Sequence, residues 1–170
     1  MQAKALRSML LGAVLAAGLL PASAWADSTN SIVYRLKDWE VRSVAWDDGT
    51  TACVAEVSYA KDSFSIWADK TNPIRLQFFS TDWNFNEGVT DLKLRIDGRA
   101  SWTLRDADLY KNSILFDLPT SNAGTQFLAE VAHGDTLYLM ETDGREVQDY
   151  SLSGSRASIV ALSDCVDALK

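Results

Sequence analysis

The chain has 170 residues, 47% of them hydrophobic and 23% charged, with a formal net charge of −7. Such acidity repels phosphate backbones and anionic lipid surfaces, so nucleic acid is excluded from the expected partners. One histidine and two cysteines supply almost no ligands for a zinc site, and no metal or cofactor is expected.

The first 26 residues have the layout of a secretory signal peptide. Lys4 and Arg7 form a positive start, Met9 to Leu20 a short apolar core, Pro21 a break, and Ala24-Trp25-Ala26 a small-x-small cleavage site. The apolar run is short of the ~20 residues that span a bilayer. Cleavage after Ala26 is expected, leaving residues 27–170 as one β-rich domain. Loss of Lys4 and Arg7 takes the charge from −7 to −9. No later apolar run is long enough to cross a membrane, so the mature chain is expected to lack a transmembrane anchor and to be periplasmic or secreted.

After a polar lead, Asp27 to Ser31, the pattern alternates with a period of two. Trp39 to Trp46 and the run from Ala52 flank Asp47-Asp48-Gly49-Thr50, a turn signal, and so read as a hairpin. Its second strand places Cys53, Ala55, Val57 and Tyr59 on one face. Strands are expected over Ser63 to Ala68 and Ile74 to Ser80, separated by a stretch ending in Pro73, which cannot donate to a ladder. Asp82 to Gly88 reads as a loop. Val89 to Ile96 and Arg99 to Leu104 meet across Asp97-Gly98, and Ser113 to Leu118 stops at Pro119. Phe127, Leu128 and Val131 have helical spacing, and a last hairpin turns at Asp143-Gly144.

The end of the chain changes period. Strand spacing stops at Leu152, Ser153-Gly154-Ser155 turns the chain, and Ser155 is the expected N-cap of a helix. Ile159, Leu162, Val166 and Leu169 share one face of it, and Cys165 lies beside them. Cys53 and Cys165 are the only cysteines, 112 positions apart. In an oxidising compartment they most simply bond to each other, with two free thiols or a metal pair as the alternatives. The expected architecture is therefore mainly β, a sandwich or barrel of about eight antiparallel strands, with the C-terminal helix tied to an early strand.

Little in the sequence points to catalysis. His133, in Glu130-Val131-Ala132-His133-Gly134-Asp135, offers a general base beside a carboxylate, but a basic side chain before a helix-ending glycine has an electrostatic reason to be there. No nucleophile-elbow, phosphate-cradling or dinucleotide motif accompanies it. The acids cluster in turns with Gly, Asn and Thr, which is ordinary turn chemistry. Asp106 to Asn112 lacks the ligand spacing of a calcium loop.

Of six tryptophans, Trp25 leaves with the leader. Trp39, Trp67 and Trp102 sit within strand runs and are expected in the core, as aromatics in a buried β face usually are. Trp83, with Phe85 in the polar stretch Thr81 to Gly88, is the candidate surface anchor, for a protein interface or for a sugar ring.

Three pieces of the chain resemble the invasion-associated locus B family of exported alpha-proteobacterial proteins. They are Asp38-Trp39-Glu40-Val41, Cys53 shortly after it, and Tyr150 to Leu162 with its Leu-Ser-Gly-Ser-Arg-Ala run. The resemblance implies a small β-rich periplasmic or surface-associated protein with a terminal helix. Ser43 stands where the family often has a cysteine. The functional expectation is a non-enzymatic accessory protein that engages another envelope protein through Trp83 and Phe85. A small-ligand or glycan-binding β domain is the alternative, and a hydrolase the third reading.

Overall fold

The computed structural model of the protein describes residues 28–169, so the expected leader, residues 1–26, lies outside the described residues. Alternating runs become ten strands: β1 (Ser28–Leu36), β2 (Trp39–Trp46), β3 (Thr51–Ser58), β4 (Asp62–Ala68), β5 (Arg75–Ser80), β6 (Phe85–Ile96), β7 (Trp102–Lys111), β8 (Ser113–Asp117), β9 (Thr136–Met140) and β10 (Glu146–Ser151). Helix α1 (Asn122–His133) interrupts the series and α2 (Ser155–Ala168) ends it. All strands belong to one antiparallel sheet in the order β1-β2-β3-β4-β5-β8-β7-β6-β9-β10. That linear order leaves β1 and β10 as edges, so the arrangement is sandwich-like and the barrel alternative is not realised.

The core follows from register. Opposed residues in a ladder share a face, and one row runs Trp39, Val57, Phe64, Phe78, Ile114 across five strands. The next runs Val41, Ala55, Ile66, Leu76, Phe116. Both rows face inward. Tyr150, from the far end of the sheet, packs 5.8 Å from the rings of Phe64 and Phe78. The sheet therefore curls over, and Leu94, Ile96, Leu137 and Leu139 close the core from the other leaf. Phe127 and Val131 of α1 and Leu162 of α2 complete it.

The two ends of the chain meet. Cys53 and Cys165 form the expected disulfide, with Cα atoms 6.1 Å apart. The Trp39 indole N–H donates to the Ser151 carbonyl at 3.1 Å, and the Lys37 ammonium donates to Ser153 Oγ at 2.9 Å. Gly154 has φ +108°, and a Cβ there would come within 2.7 Å of the Leu36 carbonyl oxygen. Only glycine takes that conformation at that distance without strain. Asp38 to Val41, Cys53 and Tyr150 to Leu162 are thus one spatial unit, built around Trp39.

Several expectations need correction. Ser28 to Ser31 of the polar lead are part of β1, an edge strand that is mostly exposed and so need not alternate in polarity. The stretch read as a loop, Asp82 to Gly88, enters β6 at Phe85. Tyr59 lies past the end of β3 and is exposed, so it does not share the Cys53 face. The N-cap of α2 is Gly154, while Ser155 opens the helix and its buried Oγ donates to the Val131 carbonyl at 2.8 Å, pinning α2 to α1. Leu169 follows the helix rather than ending it. Trp67 and Trp102 are only partly buried. The N–H of Trp67 reaches Gln77 and that of Trp102 reaches Glu130, as partly wet indoles require.

Candidate functional site

Each predicted site residue has a definite place. Trp83 and Phe85 form a tilted aromatic pair, ring centroids 5.5 Å apart, half-buried against the core. The Asn112 amide donates to the carbonyls of Ser80, at 3.2 Å, and of Trp83, while Lys61 and Asp82 bridge across the same turn at 3.0 Å. The pair is therefore held back onto the sheet rather than projected into solvent. His133 is exposed at the end of α1, with Nδ1 2.7 Å from the Ala129 carbonyl of its own helix. The carboxylate of Glu130 is engaged instead by Trp102, at 3.0 Å, and by Gln126.

The sheet's outer face holds groups that the sequence reading left apart. On the face opposite the core, one row runs Arg42, Val54, Trp67, Arg75, Asp117 and its neighbour runs Glu40, Glu56, Ser65, Gln77, Leu115. The polar members are paired across strands. Arg42 donates to Glu56 at 3.0 Å, and the Ser65 hydroxyl donates to the other Glu56 oxygen at 2.8 Å. The Trp67 indole donates to Gln77 Oε1 at 2.9 Å, and Gln77 Nε2 donates onward to Ser113 at 2.9 Å. Arg75 grips Asp117 with two parallel bonds of 2.6 and 2.9 Å, the fork geometry that gives such pairs directional strength. The Arg75 guanidinium holds the Asp117 carboxyl below the usual range, and Asp117 in turn raises Arg75.

At one end of these rows the surface sinks into an open cleft of about 760 Å³. Trp46 and Trp67 line it, ring centroids 6.3 Å apart and planes inclined by 33°. Arg75, Gln77 and Asp117 line it beside Trp67, and residues 69–73 form its rim. The rim is shaped by Asp69, whose carboxylate accepts from the Thr71 and Asn72 backbone N–H groups at 2.7 and 2.8 Å and from the Asn72 amide at 2.9 Å. Those bonds, the Asn72 side chain foremost, push the Asp69 carboxyl far below the ordinary carboxylate range. The Lys70 ammonium donates to the Leu169 carbonyl, linking the rim to the chain beyond α2.

A depressed folded-state pKa stabilises above the unfolded value and is lost as pH falls toward the folded one. Protection of the Thr71 and Asn72 amides from hydrogen exchange is therefore expected to persist from neutrality down to about pH 4, the ordinary carboxylate range, and to decline below it. Asp69→Ala should remove it at every pH. Equal protection in the variant would show that the rim does not depend on this carboxylate.

Outside this face, the sheet edges differ sharply. β10 is covered: the Ser151 N–H donates to the Tyr59 hydroxyl at 2.7 Å, and Gln148 reaches Asp62 at 3.3 Å. Among the described residues β1 pairs only with β2. It exposes Ile32 by 56%, Val33 by 50% and Leu36 by 38%. Its ladder has a bulge between Ile32 and Tyr34, and its one basic side chain, Arg35, is paired with Glu40.

Comparison with protein-family models, with curated proteins and with solved structures gives no match for the chain.

Proposed function

We propose that the protein is an exported, non-enzymatic accessory protein that binds another protein of the cell envelope by accepting an extended segment along β1. The open edge carries this reading. Among the described residues no second strand pairs with β1 along Thr29 to Leu36, and its backbone donors and acceptors there lie beside three exposed aliphatic side chains, the arrangement that strand addition uses. Natural edges are usually blunted by lysine, proline or a covering loop, and β10 is covered in that way by Tyr59 and Asp62. The partner segment is extended, apolar at alternate positions, and neutral or basic. A second copy of this chain would bring the same acidic charge of −7, or −9 without the leader, and repel. The leader-like start, the disulfide and the likeness to the invasion-associated locus B family support the compartment.

The test is a photo-crosslinking residue placed at Val33 in cells, with the crosslinked peptides mapped by mass spectrometry. One partner joined through an extended segment is expected, and Ile32→Lys with Val33→Lys should abolish it. Because both side chains are exposed, the double variant should keep its stability within about 1 kcal/mol. Absence of a crosslink, or a partner that the lysines leave bound, would sink the reading. A small-ligand role is favoured by a separate observation, the cleft between Trp46 and Trp67, none of whose lining residues lies on β1.

A further inference from the structure

We propose that this cleft is a binding site for a neutral saccharide, engaged as one or two sugar units of an oligosaccharide. The first argument is its floor. A pyranose ring offers one face of C–H groups and a perimeter of hydroxyls, so it needs an apolar, flat, polarisable surface with polar groups at the margin. Trp46 and Trp67 supply two half-exposed indoles inclined by 33° at 6.3 Å, a spacing over which ring faces and C–H groups can pack. Neither indole stacks on the other. The Trp67 N–H is already committed to Gln77, which fixes the ring before any ligand arrives. A site whose parts are ordered in advance loses less entropy on binding.

The second argument is the margin. Trp67, Arg75 and Asp117 are successive members of one cross-strand row, so their side chains stand next to one another on β4, β5 and β8. The Arg75 fork spends two of its N–H donors on Asp117. It keeps others, and the Asp117 oxygens keep lone pairs. A planar donor and a planar acceptor held side by side match a vicinal pair of hydroxyls, one accepting from the guanidinium and one donating to the carboxylate. Gln77 also lines the cleft, with a lone pair on the oxygen that receives the Trp67 N–H.

The third argument is charge. The ionised side chains lining the cleft are Asp69, Lys70, Arg75 and Asp117, and they cancel. Arg75 and Asp117 neutralise each other, Asp69 is saturated by its own loop, and Lys70 is turned to the Leu169 carbonyl. Among the described lining residues the one cation without a carboxylate partner is Lys70, so a phosphate, nucleotide or carboxylate would have to draw it from that carbonyl. The volume, about 760 Å³, falls within the ~300–1,000 Å³ of small-ligand sites. The cleft is open along the face rather than enclosed, so a chain can enter sideways with its remaining units in solvent.

The experiment uses the full-length, oxidised protein and calorimetric titration with chitotetraose, cellotetraose and maltotetraose. A carboxylated hexasaccharide, hyaluronan, and a proline-rich peptide serve as contrasts. The expected result is saturable binding of at least one neutral tetrasaccharide, weakened at least tenfold by Trp46→Ala and by Asp117→Ala. Trp67→Phe keeps an aromatic floor and the fold but lacks the N–H to Gln77, and should weaken binding less than Trp46→Ala. Circular dichroism and melting of each variant establish that it is folded. Ile32→Lys with Val33→Lys should bind sugar like the wild type, so failure of the strand-addition reading and of this one are told apart. No neutral sugar bound, stronger binding of hyaluronan or of the peptide, or equal affinity in the folded Trp46→Ala variant would each overturn the proposal.

Discussion

Breaking the Cys53–Cys165 bridge is expected to lower the unfolding free energy by about 4–5 kcal/mol, the chain-entropy value for a loop of this length. For a chain of this size that corresponds to a melting temperature roughly 10–20 °C lower. The bridged cysteines are 112 positions apart, about four-fifths of the length the structure describes, so the bridge constrains most of the unfolded chain. In the folded protein the bridge holds α2 against β3, where the helix also packs on β1 and β2. Both cysteines are buried, so mild reductant should act slowly on the native protein and quickly once denaturant opens it. Melting curves of the oxidised protein and of a Cys53→Ala, Cys165→Ala variant give the magnitude. A loss under about 1 kcal/mol would show that α2 stays docked by packing alone and that the entropic account does not apply here.

Replacing Trp39 with alanine should cost about 3–5 kcal/mol, the range for removing a large buried aromatic. Trp39 has no exposed surface, meets Phe64 edge-on at 6.0 Å, and donates its N–H to Ser151. Its loss empties the start of the inner row and strips the Ser151 carbonyl of a donor. Trp39→Phe separates these effects. It keeps most of the packing, and its cost, about 1–3 kcal/mol, measures the orphaned carbonyl and the smaller ring. Denaturant unfolding of both variants is the measurement. Because Trp39 and the disulfide fasten the same terminal segment, their losses should combine to less than their sum. Strict additivity would mean that the two fasten independent parts.

The turns could be read from the sequence because glycine and aspartate have local reasons to be where they are. Asp47 to Thr50, Asp97-Gly98 and Asp143-Gly144 all join neighbouring strands, as expected. The terminal helix and its cysteine were legible for the same local reason, a change of period from two to three and four. The outer face was only half legible. Parity places Trp67 opposite Phe64 and Ile66, which are fully buried, so its outward position follows from alternation alone. Assigning it to the core overlooked that signal. The pairing of Arg75 with Asp117 could not be read, because 42 positions separate them and β8 joins β5 only through the crossover of β6 and β7. Nor could a loop tryptophan at 83 be told from an exposed one, since Asn112, which secures it, comes 29 residues later.

The position of the two cysteines also governs how the native chain is reached. Cys53 leaves the site of synthesis long before Cys165, and its thiol must remain unpaired while the intervening sheet is made. With only two cysteines there is a single intramolecular pairing. An oxidant is then sufficient, and a disulfide isomerase has no wrong bridge within the chain to correct. The misstep open to the waiting thiol is capture by another molecule, not reshuffling within the chain.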